Sequence, residues 1–157
     1  MPGLSHVDDS GGLSMVDVST KATTSRTARA QARVRLPAPA AHALRRATLV
    51  KGDAFAAAQV AGILAAKQTA SLIPLAHSLP LAGVDVTFEW DGDVLVVESV
   101  ARTSAQTGVE MEALVAASIA SLTIYDMAKG LDKGIVVECV RLLQKTGGKS
   151  GDWNSGS

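Results

Sequence analysis

The chain has 157 residues, with Lys plus Arg equal to Asp plus Glu at 15 each and a single cysteine, Cys139. That length suits one domain with a real core, the charge balance removes the overall field that would favour nucleic acid or membrane, and one cysteine excludes an internal disulfide framework and suits a reducing, cytoplasmic setting. Hydrophobic residues make up 47% of the chain but aromatics only 3%, so the core must be built from small aliphatic side chains.

The start of the chain lacks the basic-then-apolar pattern of a secretory signal. Apolar stretches are broken by Gly, Pro or charge before reaching the roughly 18 residues a membrane span needs. Residues 1–12 are polar and include Asp8-Asp9-Ser10-Gly11-Gly12, so 1–14 is predicted as a flexible leader ahead of one domain over 15–146. Met15-Val16-Asp17-Val18 is a short extended piece, followed by a polar connector carrying Lys21 and Arg26.

Residues 27–36 alternate. Ala28, Ala30, Ala32, Val34 and Leu36 point one way and Arg29, Gln31, Arg33 and Arg35 the other, the pattern of a half-buried strand. Pro37 and Pro39 end it, and 40–48 predicts a short helix. Asp53 is a good N-cap for a helix over 54–69 that is apolar nearly all round. Gly62 lies at its centre, where glycine costs about 1 kcal/mol against alanine; close approach by another backbone would justify it. Lys67 complements the C-terminal dipole of that helix.

Residues 71–81 form an apolar loop in which Pro74 and Pro80 exclude a regular helix or central strand, and His77 is its only ionisable group. Segments 84–90 and 94–101 read as strands joined through Asp91-Gly92-Asp93, a hairpin signal. After a polar exit over 102–106 come a helix over about 111–129, a strand over 135–143 and a glycine-rich tail over 147–157.

Setting the 40–48 helix aside, the order is βαββαβ. That predicts an α+β fold of ferredoxin-like type, an antiparallel four-stranded sheet with helices packed on one face. Both long helices are apolar on the side the sheet cannot cover, which argues for self-association.

The stretch 107–133 organises the rest. No charged residue lies between Glu112 and Asp126, so the helix is a buried rod with Glu110 and Glu112 at its start and Asp126 and Lys129 at its finish. Glu112 and Asp126 are 14 residues apart, roughly 21 Å on a continuous helix. One small-molecule pocket using both ends requires either a later helix start or two contributing subunits. Asp126 and Lys129, spaced i, i+3, share a face.

Other motifs carry less. Gly148-Lys149-Ser150 resembles the end of a phosphate loop, but Leu143 stands where the first glycine belongs and no helix follows. A glycine-rich turn still offers N–H groups to an anion. The scattered His77, Glu110, Glu112, Asp126 and Cys139 include no paired metal-ligand spacing, so no metal site is predicted. No Gly-x-Ser-x-Gly elbow supports a serine hydrolase. Lys51, Lys67, Lys129, Lys145 and Arg26 sit at loop or helix-end positions where they can face a polyphosphate.

Six motifs then occur in fixed order: Met15-Val16-Asp17-Val18, Lys51-Gly52-Asp53, Leu72-Ile73-Pro74-Leu75-Ala76-His77, Thr107-Gly108-Val109-Glu110-Met111-Glu112-Ala113-Leu114, Tyr125-Asp126-Met127-Ala128-Lys129 and Gly147-Gly148-Lys149-Ser150-Gly151. From about residue 4 to 153 the chain closely resembles the cyclic pyranopterin monophosphate synthase family of molybdenum cofactor biosynthesis. The resemblance implies conversion of a 3′,8-cyclised dihydro-GTP to cyclic pyranopterin monophosphate with release of diphosphate. It also implies a hexamer of three dimers with the active site at a dimer interface.

By position, Asp126, Lys129 and Lys51 match the family's catalytic groups. Leu75, Ala76 and His77, and Met111 with Glu112, match substrate-contacting segments, with Glu110 in the same cluster. Arg26, Lys67 and Lys145 are placed near the phosphates. On this reading Asp126 stays ionised beside its lysine, and a partly buried Lys129 has its pKa lowered toward use as a base. No cofactor is required, and assistance by Mg²⁺ is left open. Ala76 and Ala128 stand where relatives commonly have Cys, and Ser78 where Pro is common; none of these is a presumed catalytic group. Two rival classes are a non-enzymatic oligomer sensing a small anion and a metal-dependent phosphohydrolase.

Overall fold

A computed structural model describes residues 5–156; the first four residues of the expected leader lie outside the described part. In chain order the elements are β1 (Thr24–Arg35), α1 (Ala38–Arg45), α2 (Ala54–Lys67), α3 (Thr69–Leu72), β2 (Leu81–Asp91), β3 (Val94–Ala105), α4 (Glu110–Ala128), β4 (Val136–Thr146) and β5 (Trp153–Asn154). The strands form one sheet in the order β2-β3-β1-β4-β5, with every neighbouring pair antiparallel. The fold is therefore α+β as expected, but the sheet has five strands rather than four. The fifth arises because Gly147 and Gly148, both at positive φ, reverse the chain and return Trp153 and Asn154 to Lys145 and Gln144. A two-residue strand has no periodicity to read in advance.

The alternation of β1 divides the sheet's faces as predicted. Ala28, Ala30, Ala32 and Val34 are buried. On the other side Arg29 pairs with Glu98 at 2.9 Å, Arg33 with Asp91 at 2.7 Å, and Arg35 with Glu138. Helix α4 packs against β1, β3 and β4, and α2 packs against α4 and β2. Asp53 caps α2 by accepting from the Ala56 N–H at 3.0 Å. The close approach expected at Gly62 is present: a Cβ there would lie 3.0 Å from the Ala116 carbonyl oxygen.

Small residues line α4 where it meets these neighbours, Ala113, Ala116, Ala117, Ala120 and Ala128 among them, all fully buried. Its hydroxyls bond back along the helix, Ser121 donating to the Ala117 carbonyl at 2.7 Å and Ser118 to Leu114 at 2.7 Å. By length and composition alone α4 would also suffice to cross a membrane, yet half of its apolar window is buried inside the fold.

Several boundaries differ from expectation. Strand β1 begins at Thr24, so Arg26 lies in a strand and not in a connector. Strand β3 continues through Ala105, pairing 102–105 with 24–27 of β1. The expected helix over 54–69 ends earlier, at Lys67, and a separate helical turn, α3, runs from Thr69 into the start of the expected apolar loop, with the buried Thr69 hydroxyl donating to the Ala66 carbonyl at 2.9 Å.

Candidate active site

The acids at the start of α4 sit in its first turn, where the free N–H groups favour negative charge. Glu112 is only 4% exposed. Burial, and secondarily the charge of Glu110, pushes its carboxyl above the ordinary range. Glu110 instead reaches out to Lys145, 3.1 Å away. A cavity of about 180 Å³ lies over this turn, bordered by Leu75, Ala76, His77, Met111, Glu112 and also His6. The His77 Nε2–H donates to the Val16 carbonyl at 2.7 Å, tying the Met15-Val16-Asp17-Val18 segment to the loop.

Thr107, Gly108 and Glu110 are shared with a larger cleft of about 1010 Å³. Its walls carry four cations: Lys21, Arg26, Lys145 and Lys149. Thr24 also faces it, and its Oγ1 is the one buried side-chain polar atom without a partner among the described residues. A buried hydroxyl without a partner is costly unless a ligand satisfies it. The glycine turn fits closely around Arg26: a Cβ on Gly148 would strike its guanidinium, and one on Gly147 the Ser25 carbonyl. Ring-sized space bordered by carboxylates thus runs into a cationic cleft.

At the other end of α4, Lys129 pairs with Asp126 at 2.8 Å, and Lys51 approaches the same carboxylate at 3.7 Å while donating to the Asp126 carbonyl at 2.7 Å. The hydrogen bond from Lys129, then the charges of Lys129 and Lys51, hold the Asp126 carboxyl below its ordinary range. Asp126 is thus ionised as expected. Lys129 departs from expectation: its pKa is raised by its hydrogen bond and charge interaction with Asp126. The reason is exposure, because its side chain is 46% accessible and the desolvation that would lower it is outweighed by the partner.

The residues singled out from sequence therefore fall into two groups. Leu75, Ala76, His77, Glu110, Met111, Glu112, Arg26 and Lys145 gather at the start of α4, and Lys51, Asp126 and Lys129 at its finish. Within this chain the helix holds the groups apart. Lys67 borders neither space at the start of α4, since it points to solvent from the last turn of α2. His6, Lys21, Thr24 and Lys149 border the two spaces without having been singled out. The available signals were the glycine-rich turn beside Lys149 and the polar connector in which Lys21 stands with Arg26. Among the described residues no three His, Cys, Asp or Glu side chains are grouped to hold a metal ion.

Residues 15–148 match the MoaC family. The chain is 52% identical over 157 residues to the cyclic pyranopterin monophosphate synthase of Bordetella avium, covering 99% of this chain and 97% of that protein. It is 45% identical over 161 residues to the synthase of the same name from Bacillus pumilus, covering 100% and 99%. A third relative of that name, from Streptomyces coelicolor, is 50% identical over 150 residues, covering 96% and 88%.

Proposed function

The chain belongs to the MoaC family, and from that premise we propose that it is a cyclic pyranopterin monophosphate synthase. It converts (8S)-3′,8-cyclo-7,8-dihydroguanosine 5′-triphosphate to cyclic pyranopterin monophosphate and diphosphate, an early step of molybdenum cofactor biosynthesis. The supporting observation in the structure is the division of its ionisable groups between the two ends of α4, carboxylates leading into a cationic cleft at one end and an Asp–Lys–Lys cluster at the other.

A complete site needs both ends, and a second protomer supplies the missing one. Val60, Leu64 and Leu122 are each at least half exposed on the outward sides of α2 and α4. Two protomers packed through these sides about a two-fold axis set the start of one α4 against the finish of the other, giving two composite sites per dimer. Three such dimers make the hexamer. The four long strands with α2 and α4 are read as the ferredoxin-like core of a single catalytic domain over 15–146. The enzyme works in the cytoplasm on a small-molecule substrate, without a nucleic-acid or membrane partner. The reading needs no cofactor, and a Mg²⁺ ion travelling with the triphosphate is compatible with it.

Leu75, Ala76 and Met111 give the purine-derived ring apolar contact, while Glu110, Glu112 and His77 meet its polar edge. Arg26 and Lys145, joined by Lys21 and Lys149, hold the triphosphate. Cyclisation requires a substrate hydroxyl to lose its proton and its oxygen to bond the α-phosphorus. The α–β phosphoanhydride bond breaks and diphosphate leaves, its charge met by the same cations. Asp126, an ionised carboxylate, accepts protons during ring rearrangement; Lys129 and Lys51, as ammonium groups, supply them.

Substituting Asp126→Ala or Lys129→Ala is expected to lower formation of the cyclic monophosphate by at least about a hundredfold, the usual scale for a positioned acid or base. Unchanged turnover in both variants would remove these roles.

A further inference from the structure

Two histidines border the cavity at the start of α4. The Nε2–H of His77 is committed to the Val16 carbonyl. No hydrogen bond engages the His6 ring among the described residues. His6 is delivered by a turn that is built locally. The Asp8 carboxylate accepts from the Ser10 N–H at 2.9 Å, the Ser10 hydroxyl at 2.6 Å and the Gly12 N–H at 2.8 Å. Val7 bridges to Leu13, and the Ser14 N–H donates to the His6 carbonyl at 3.0 Å. Gly11 takes the positive φ that the reversal needs. This hairpin keeps its apolar side chains out of the core, with Leu13 79% exposed. Its structure is therefore preformed, yet core packing does not explain why it lies over this cavity.

The chemistry of the cavity supplies a reason. Apart from Thr107, the side chains that the body of the fold presents there are carboxylates, apolar groups and a histidine whose Nε2–H is taken. Carboxylates suit the N–H groups of a guanine-derived ring, but the ring's carbonyl oxygen needs a donor. An imidazole with both nitrogens unengaged can provide one.

We propose that the hairpin over residues 6–14 is a strap across the ring subsite and that His6 is a substrate-contacting residue, donating to the ring held by Glu110, Glu112 and His77. The proposal rests on the synthase reading above. It separates the strap from the tether: Val16 fixes His77, while His6 reaches the ligand.

Steady-state kinetics on the purified full chain with the cyclised dihydro-GTP test it, using His6→Ala, His6→Gln and deletion of residues 2–12. His6→Ala and the deletion are expected to raise KM about tenfold, the scale of one lost hydrogen bond to a ligand. kcat should stay within about twofold and Tm should not move, because His6 is exposed and outside the core. His6→Gln keeps an N–H donor and should recover most of the loss. KM unchanged in both His6→Ala and the deletion overturns the contact, as does a His6→Gln variant no better than His6→Ala. A parent protein that makes no cyclic monophosphate overturns the synthase reading and takes this inference with it. A working parent with unaffected variants overturns the inference alone.

Discussion

Glu112 is the residue at which stability and the proposed chemistry oppose each other. Its carboxyl is buried and its pKa raised by desolvation, then by Glu110. A raised carboxyl favours the folded state while protonated, and that contribution is lost as pH rises through the folded pKa. Glu112→Gln removes the ionised form. It should therefore raise Tm at pH 8 by roughly 2–4 °C, the response to about 1 kcal/mol in a chain of this size, and by less at pH 5. Activity should fall in the same variant. A Tm gain independent of pH would contradict the burial argument. Asp126 and Lys129 behave oppositely. The Asp126 contribution is present above the ordinary aspartate pKa and lost as pH falls through its lowered value; that of Lys129 is present below the ordinary lysine pKa and lost as pH rises through its raised one. Both groups are exposed, so Lys129→Ala should leave Tm unchanged while abolishing turnover. Calorimetry beside the product assay separates the two effects.

Among the elements, the α2–α4 contact sets the distance between helices and so the position of both site clusters. At Gly62 an added side chain meets the Ala116 carbonyl and the Val86 methyl, each at 3.0 Å, and backbone cannot yield cheaply. Gly62→Val should destabilise the fold by about 1–3 kcal/mol in urea titration, the usual cost of overpacking. Gly148→Ala acts elsewhere. Its Cβ displaces the Arg26 guanidinium and its positive φ resists a side chain. The expected result is a raised KM for the triphosphate substrate, with the α-helical circular dichroism signal unchanged. The long elements were legible because periodicity over many residues has one interpretation: β1 by alternation, α4 by its uncharged run, the β2–β3 hairpin by Asp91-Gly92-Asp93. The end of β3 was not. Arg102 and Ser104 alternate with buried Thr103 and Ala105, and polar side chains hide a strand whose buried face is small.

For the whole molecule, the separation of the two clusters predicts complementation. Glu112→Ala and Asp126→Ala proteins should each be inactive. Mixed under conditions that exchange subunits, they should regain about a quarter of parental activity, because in the proposed dimer random pairing makes half the dimers hybrid and each hybrid holds one intact site. No recovery despite verified subunit exchange would place both ends in separate functions. Leu122→Glu puts a charge on the exposed side of α4. It should shift the sedimentation profile to smaller species and remove activity together, since in the proposed dimer each site draws one cluster from the neighbour.

The sequence by itself determined which long segments are strand or helix and which residues are candidates for the chemistry, since both are read from residue type and spacing along the chain. It also determined that Glu112 and Asp126 stand far apart on one rod, because helical rise per residue is fixed. Only the tertiary structure decided how those residues are grouped and charged. It brought Lys145 to Glu110, His6 to the cavity and the four cations to one cleft, and left Lys67 in solvent. It also raised Lys129 where burial was expected to lower it. Such outcomes depend on which side chains the sheet register and the glycine turns bring together across long stretches of chain, and on how much water remains between them.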